Sequence, residues 1–217
     1  MRAAAAAVAP LVRDYEVVAV DDGSRDGTGA ILARLAAELG ERLQVVRHPH
    51  NRGYGAALRS GFAAARGELV FYTDSDNQFD LRELAGVLPL LQGHDAFLGY
   101  RLDRQDPWLR RFVSGVFNAL SCQALGFAVR DINCSFKLFR RELIQGLPLE
   151  SDDFFIDTEM VALIHHQGWR YVQRGVRHYP RTAGRSTVRP RDVPRTLASI
   201  ARMWRRLRGL AAVRAAA

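Results

Sequence analysis

Short apolar runs recur along the N-terminal half of the chain, with longer amphipathic stretches between them. Residues 15–20, 43–47, 68–72 and 96–98 are rich in β-branched, aromatic and aliphatic side chains and predict buried strands. Residues 28–39 and a stretch beginning near Gly53 and ending at Ala65 predict the helices that connect them. This alternation predicts βαβ units, and so a single α/β domain of three layers around a Rossmann-like, mostly parallel sheet. Such a unit would bring the carboxylates after the first and third strands to one edge. Residues 2–12 are Ala-rich and predict a helix; with one basic residue and little Leu they make a poor signal peptide, and secretion is discounted.

The C-terminal pattern is different. On a helix over 194–213, Leu197, Ile200, Trp204, Leu207 and Ala211 share one face, and Arg195, Arg202, Arg205 and Arg206 lie opposite. That apolar face can lie in a membrane interface with Trp204 at headgroup depth, or it can dock on the core. The division expected is a domain over 1–190 and a basic amphipathic helix over 191–217.

Charge sharpens this division. The chain of 217 residues carries a formal net charge of +8, yet residues 181–217 hold ten arginines against Asp192, so the body is close to neutral. Nucleic acid is not an expected partner, because aromatic residues are sparse among those arginines and Trp204 is on the apolar face. Hydrophobic residues make up 48% of the chain, enough for one core. Cys122 and Cys134 are too few for a disulfide framework, which makes a reducing cytosol the default. No run of apolar residues is long enough to span a bilayer.

The candidate chemistry lies where the third strand ends, at Thr73-Asp74-Ser75-Asp76-Asn77-Gln78. Asp74 and Asp76 can reach one hard divalent cation there, with Gln78 as a third oxygen ligand. A calcium loop of the EF-hand type would need Gly at Phe79 and Glu at Ala85, and fails at both. An aspartate-nucleophile phosphatase would carry Thr or Val at Gln78. A solvated acidic turn is the remaining alternative. After the first strand, Asp21 and Asp22 can accept hydrogen bonds from a nucleobase or ribose, or can form an Asx turn and helix cap. Gly53 and Gly55 would let backbone amides approach a phosphate or nucleoside at the start of a helix.

Taken in order, Val20-Asp-Asp-Gly-Ser-Arg-Asp-Gly-Thr28, Asn51-Arg-Gly-Tyr-Gly-Ala-Ala57 and Thr73-Asp-Ser-Asp-Asn-Gln78 resemble the family-two glycosyltransferases, above all the polyprenol-phosphate sugar transferases related to dolichol-phosphate mannosyltransferase. Gly99-Tyr100-Arg101, Arg111 with Ser114, Asp131 to Arg140, Phe155-Ile-Asp-Thr-Glu159 and Arg181-Thr-Ala-Gly-Arg-Ser186 extend the resemblance. Ser135 stands where the family has Gly. The resemblance implies a nucleotide-diphospho-sugar transferase fold of the GT-A type with a mixed sheet, a nucleotide-sugar donor, Mg2+ or Mn2+, and inversion at the sugar.

It also implies roles. Asp21, Asp22, Gly53, Gly55, Asp74, Arg181 and Ser186 would bind the donor, and Asp76 would serve the metal and the reaction. Negative charge develops on the departing nucleoside diphosphate, and a cation on Asp74 and Asp76 would stabilise it. If the acceptor is a polyprenyl phosphate it is already an anion, and Arg101 and Arg111 are candidate phosphate clamps. If it is a sugar hydroxyl, Asp157 or Glu159 is the candidate base. A catalytically silent binding module is the alternative outside enzymes. A cytoplasmic protein resting on the inner face of the cell membrane is expected. The family opens with a strand ending in Pro-x-Tyr-Asn-Glu, and this chain starts within the helix after it; the missing strand is expected upstream of Met1.

Overall fold

The computed structural model describes residues 1–102, 108–180 and 193–216. In chain order the elements are α1 (Arg2–Val8), β1 (Val17–Asp21), α2 (Thr28–Leu39), β2 (Leu43–Arg47), α3 (Tyr54–Ala64), β3 (Leu69–Tyr72), α4 (Leu84–Val87), β4 (Ala96–Leu102), α5 (Trp108–Leu125), β5 (Lys137–Arg140), α6 (Arg141–Gly146), α7 (Ile156–His166), β6 (Tyr171–Arg177) and α8 (Val193–Ala216). The chain is α/β, as its periodicity predicts. The first helix stops at Val8, and β1 begins two residues later than the pattern suggests.

The strands form two sheets. β1 and β2 pair in parallel, and β3-β5-β4-β6 make a four-stranded sheet in which β5 runs antiparallel to both neighbours and β4 parallel to β6. The mixed character agrees with expectation, but the sheet is not mostly parallel, since β5 is antiparallel to β3 and β4, and the βαβ unit from β2 through α3 does not close within one sheet. β3 takes its hydrogen bonds from β5, whose four residues Lys137–Arg140 lie against Tyr72–Leu69. Between β1 and β3 runs a cleft of about 2430 Å³, lined on one side by Val17 to Val20 and on the other by Leu69 to Tyr72. It also reaches Asp22, Asp74 and Asp76, so the expected convergence of carboxylates occurs across a cleft rather than along one continuous sheet edge.

Alternation on the central strands places a core on each side of the larger sheet, since neighbouring side chains on a strand point to opposite faces. Ala96, Leu98 and Phe139 join Phe62 of α3, Leu143 and Ile144 of α6, and the apolar residues of α7. Phe97, Phe136 and Leu138 face the other way, against Leu84, Val87 and Leu91. Helix α7 is buried from Ile156 to Ile164, its carboxylates included. Ile200, Met203 and Leu207 of α8 belong to the first of these cores, so this helix docks on the body. Leu197 and Trp204, assigned by periodicity to the same face, are exposed.

Candidate active site

β3 ends at Tyr72 and the chain turns through Thr73 to Gln78, with Asn77 at φ 58°. A short polar residue tolerates this left-handed conformation better than a β-branched one. The turn sets Asp74 and Asp76 into the cleft. Asp74 Oδ2 accepts a 2.7 Å hydrogen bond from the buried hydroxyl of Ser135, and Asp76 Oδ1 accepts from the Gln78 amide at 3.2 Å. Asp74 is reached by solvent, yet protein crowds it within the cleft. This partial desolvation pushes its carboxyl above the ordinary range; the Ser135 hydroxyl opposes the shift, and the charges of Asp157 and Asp76 reinforce it.

Behind Asp74 lies a buried polar chain. Lys137 Nζ, fully buried, donates to Asp157 Oδ1 and to the Cys134 carbonyl, each at 2.6 Å. The Tyr72 hydroxyl donates to the same Asp157 oxygen at 2.7 Å. The Tyr54 hydroxyl is 3.0 Å from that of Tyr72 and 3.5 Å from Asp74 Oδ1, which links the interior to the cleft. Burial and the nearby Asp157 charge hold both phenols well above their ordinary pKa, so they remain hydroxyl groups.

On the β1 side, Asp22 organises a loop. Its Oδ1 accepts from the Arg52 amide at 2.9 Å and its Oδ2 from the Gly53 amide at 2.9 Å. His48 Nδ1 donates to Oδ1 at 2.6 Å, while Nε2 lies 2.8 Å from the Ser60 hydroxyl and ties the loop to α3. Asp21 is buried: Oδ1 accepts from the Ser24 amide at 2.9 Å, and Arg47 Nε lies 3.3 Å from Oδ2. The Ser24 hydroxyl and amide hold its carboxyl below the usual range. Asp26 caps the turn into α2 by accepting from Thr28, the Asx-turn reading of this motif.

A family model described as glycosyl transferase family 2 matches residues 4–147. The chain belongs to glycosyl transferase family 2. Among relatives, the undecaprenyl-phosphate 4-deoxy-4-formamido-L-arabinose transferase of Aeromonas hydrophila is 34% identical over 65% of this chain and 44% of its own length. The protein of that name from Sodalis glossinidius is 33% identical over 77% of this chain and 55% of its own. The chain thus spans about half the length of these relatives. Among solved structures, glucosyl-3-phosphoglycerate synthase from Mycobacterium tuberculosis, crystallised with Mn2+, uridine diphosphate and glucosyl-3-phosphoglycerate, superposes with a TM-score of 0.62 at 24% identity over 90% of this chain and 72% of that one. Mannosyl-3-phosphoglycerate synthase from Rubrobacter xylanophilus gives 0.59 at 23% identity over 90% of this chain and 64% of that one. The fold is the GT-A fold of glycosyltransferases.

Several residues that the family-2 motifs single out are engaged by protein groups in this structure. The carboxylate of Asp22 is engaged by a histidine and two amides, which fits a loop anchor better than a nucleobase contact. A Cβ on Gly53 would overlap the Asp152 carbonyl and one on Gly55 the Ser151 carbonyl, so these glycines make room for protein backbone. The Gly55 amide already donates to Asp152 at 2.8 Å. Gln78 Nε2 donates to the Tyr179 carbonyl at 3.0 Å, so this side chain ties two loops together.

Arg101 forms a forked pair with Asp131, Nε to Oδ2 at 2.7 Å and Nη2 to Oδ1 at 2.9 Å, which commits the guanidinium expected to clamp a phosphate. Asp157 is buried and accepts from both Lys137 and Tyr72 on Oδ1. Glu159 accepts from the Glu150 and Ser151 amides and from Arg206, binding α8 to the loop before α7. Both carboxylates, offered by the sequence as bases for a hydroxyl acceptor, are buried and engaged by protein donors. Arg111 stands exposed on α5. Arg181 and Ser186 lie outside the described residues. Sequence reasoning passed over His48, Ser60, Tyr54, Tyr72 and the role of Lys137. The only signal available was polar residues inside apolar runs, as at Lys137 and Tyr72.

Proposed function

We propose that this chain is the catalytic region of an inverting, metal-dependent glycosyltransferase that moves a sugar from a nucleotide-sugar to a polyprenyl phosphate, working at the cytoplasmic face of a membrane. The observation that carries the proposal is the placement of Asp74 and Asp76 together on a cleft of about 2430 Å³, with Asp74 held by the Ser135 hydroxyl. Among the described residues no group of three or more His, Cys, Asp or Glu could hold a metal by itself. Two carboxylates in an open cleft nevertheless suit Mg2+ or Mn2+, which take few protein ligands and leave positions for phosphate oxygens and water. When bound, the ion supplies positive charge for the departing nucleoside diphosphate.

The engagement of Asp157 and Glu159 supports an acceptor that needs no base. A polyprenyl phosphate is ionised already, whereas a sugar hydroxyl would have to lose a proton. Arg111 is the candidate contact for that phosphate, and the relatives named for undecaprenyl-phosphate point the same way. Calorimetry with a panel of nucleoside diphosphates in Mn2+ tests the site. Asp74→Asn and Asp76→Asn should each abolish metal-dependent binding with the fold intact; undiminished affinity in both removes these carboxylates from the mechanism. Sugar transfer to polyprenyl phosphate by the unmodified protein would separate an enzyme from a silent binding module.

A further inference from the structure

Helix α5 wears its apolar residues on the outside. Trp108 is 77% exposed and Phe112 63%, and Val116 and Leu120 continue the stripe at four-residue intervals. The opposite side faces the body: Phe117 and Cys122 pack on the main core and Leu125 is buried in it. The outer stripe is therefore not the face that holds the helix to the domain, and a contiguous exposed apolar patch of this kind marks an interaction surface. Helix α8 packs against α5 and turns Leu197, Trp204, Arg202, Arg205 and Arg208 to solvent, with the Arg208 guanidinium 4.4 Å from the centre of the Trp204 ring.

We infer that the outer face of α5, with the neighbouring exposed residues of α8, docks on an anionic lipid bilayer. Charge identifies the occupant. Arg111, Arg202, Arg205 and Arg208 are exposed on the two helices, and neither helix contains an Asp, Glu or Lys. A second copy meeting this surface face to face would set arginine against arginine, whereas an anionic leaflet attracts such a cluster at roughly 1 kcal/mol per residue. Trp108 and Trp204 have the apolar body and polar N–H that favour the headgroup boundary. Arg111 lies at the edge of the same helix face, beside the lipid from which a polyprenyl phosphate would have to be taken. The surface rests on the proposed acceptor only for its purpose, since vesicle binding can be measured without any sugar transfer.

Vesicles of equal parts phosphatidylcholine and phosphatidylglycerol provide the test, by co-sedimentation of the whole chain. Binding should be clear at low salt and should weaken as salt rises. The double variant Trp108→Ser/Phe112→Ser should lose about tenfold or more in vesicle affinity, while Ile31→Ser, which removes an exposed apolar side chain from α2, should change it by less than about twofold. Circular dichroism and Mn2+-dependent nucleoside diphosphate binding should be unaltered in both. The inference is overturned if the unmodified chain ignores these vesicles, if the double variant sediments with them as before, or if ultracentrifugation shows a dimer that the variant breaks without any effect on vesicles. Vesicle binding that depends on α5 in a protein unable to glycosylate polyprenyl phosphate would refute the acceptor and leave the surface standing.

Discussion

Replacing Lys137 with Met removes one charge from the most enclosed ion pair in the described structure. Lys137 is fully buried and the Asp157 side chain is 4% exposed. The ammonium donates to Asp157 and to the Cys134 carbonyl, and lies 5.2 Å from the centre of the Tyr72 ring. Met fills much the same volume but donates nothing. Asp157 would keep only the Tyr72 hydroxyl as a donor to its charged oxygens, and the Cys134 carbonyl would lose its lysine. Breaking a buried pair from one side costs about 3–5 kcal/mol, which for a chain of this size corresponds to a fall of roughly 6–20 °C in Tm.

Urea unfolding followed by circular dichroism measures the loss. Asp157→Asn should also destabilise, because it leaves the lysine without its counter-charge. Lys137→Met/Asp157→Leu should recover at least half of the Lys137→Met loss, since it removes both charges from the interior. A loss below about 1 kcal/mol for Lys137→Met, or a double variant as unstable as the sum of its single changes, would refute the pair as an enclosed, coupled unit.

Other outcomes follow from the same geometry. Ser135→Ala removes the hydroxyl that donates to Asp74; because that carboxylate is open to solvent the effect is about 1 kcal/mol, or about fivefold weaker Mn2+-dependent nucleotide binding by calorimetry. Asp74 must be ionised to hold a cation and its carboxyl is raised by desolvation, so affinity should decline, as pH falls, at a pH above the ordinary carboxylate range. In Ser135→Ala that decline should start at a still higher pH; an unchanged profile would show that the hydroxyl does not tune Asp74. Gly55→Ala should destabilise by about 1–3 kcal/mol in urea unfolding, because its methyl meets the Ser151 carbonyl.

The alternation of apolar runs and amphipathic stretches determined most of the elements by itself. The bounds of α2 and β2 follow it residue for residue, and β3 differs by one, because burial on one side of a regular element imposes a period that local sequence must carry. The ordered Asp, Gly and Asp motifs determined the family for the same kind of reason: turns and strand ends demand particular residues at particular spacings. Side-chain partners were decided by tertiary structure alone. Asp157 and Glu159 look like available bases in the sequence, and only folding brings Lys137, Tyr72 and Arg206 to them. Arg101 looks like a phosphate clamp until Asp131, thirty residues away, is seen in its fork. The sequence carries no mark of the β3–β5 pairing, since any strand edge can bond another. Helix α5 shows the limit best. Only the packing of its inner side, through Phe117, Cys122 and Leu125, reveals that Trp108 and Phe112 look outward.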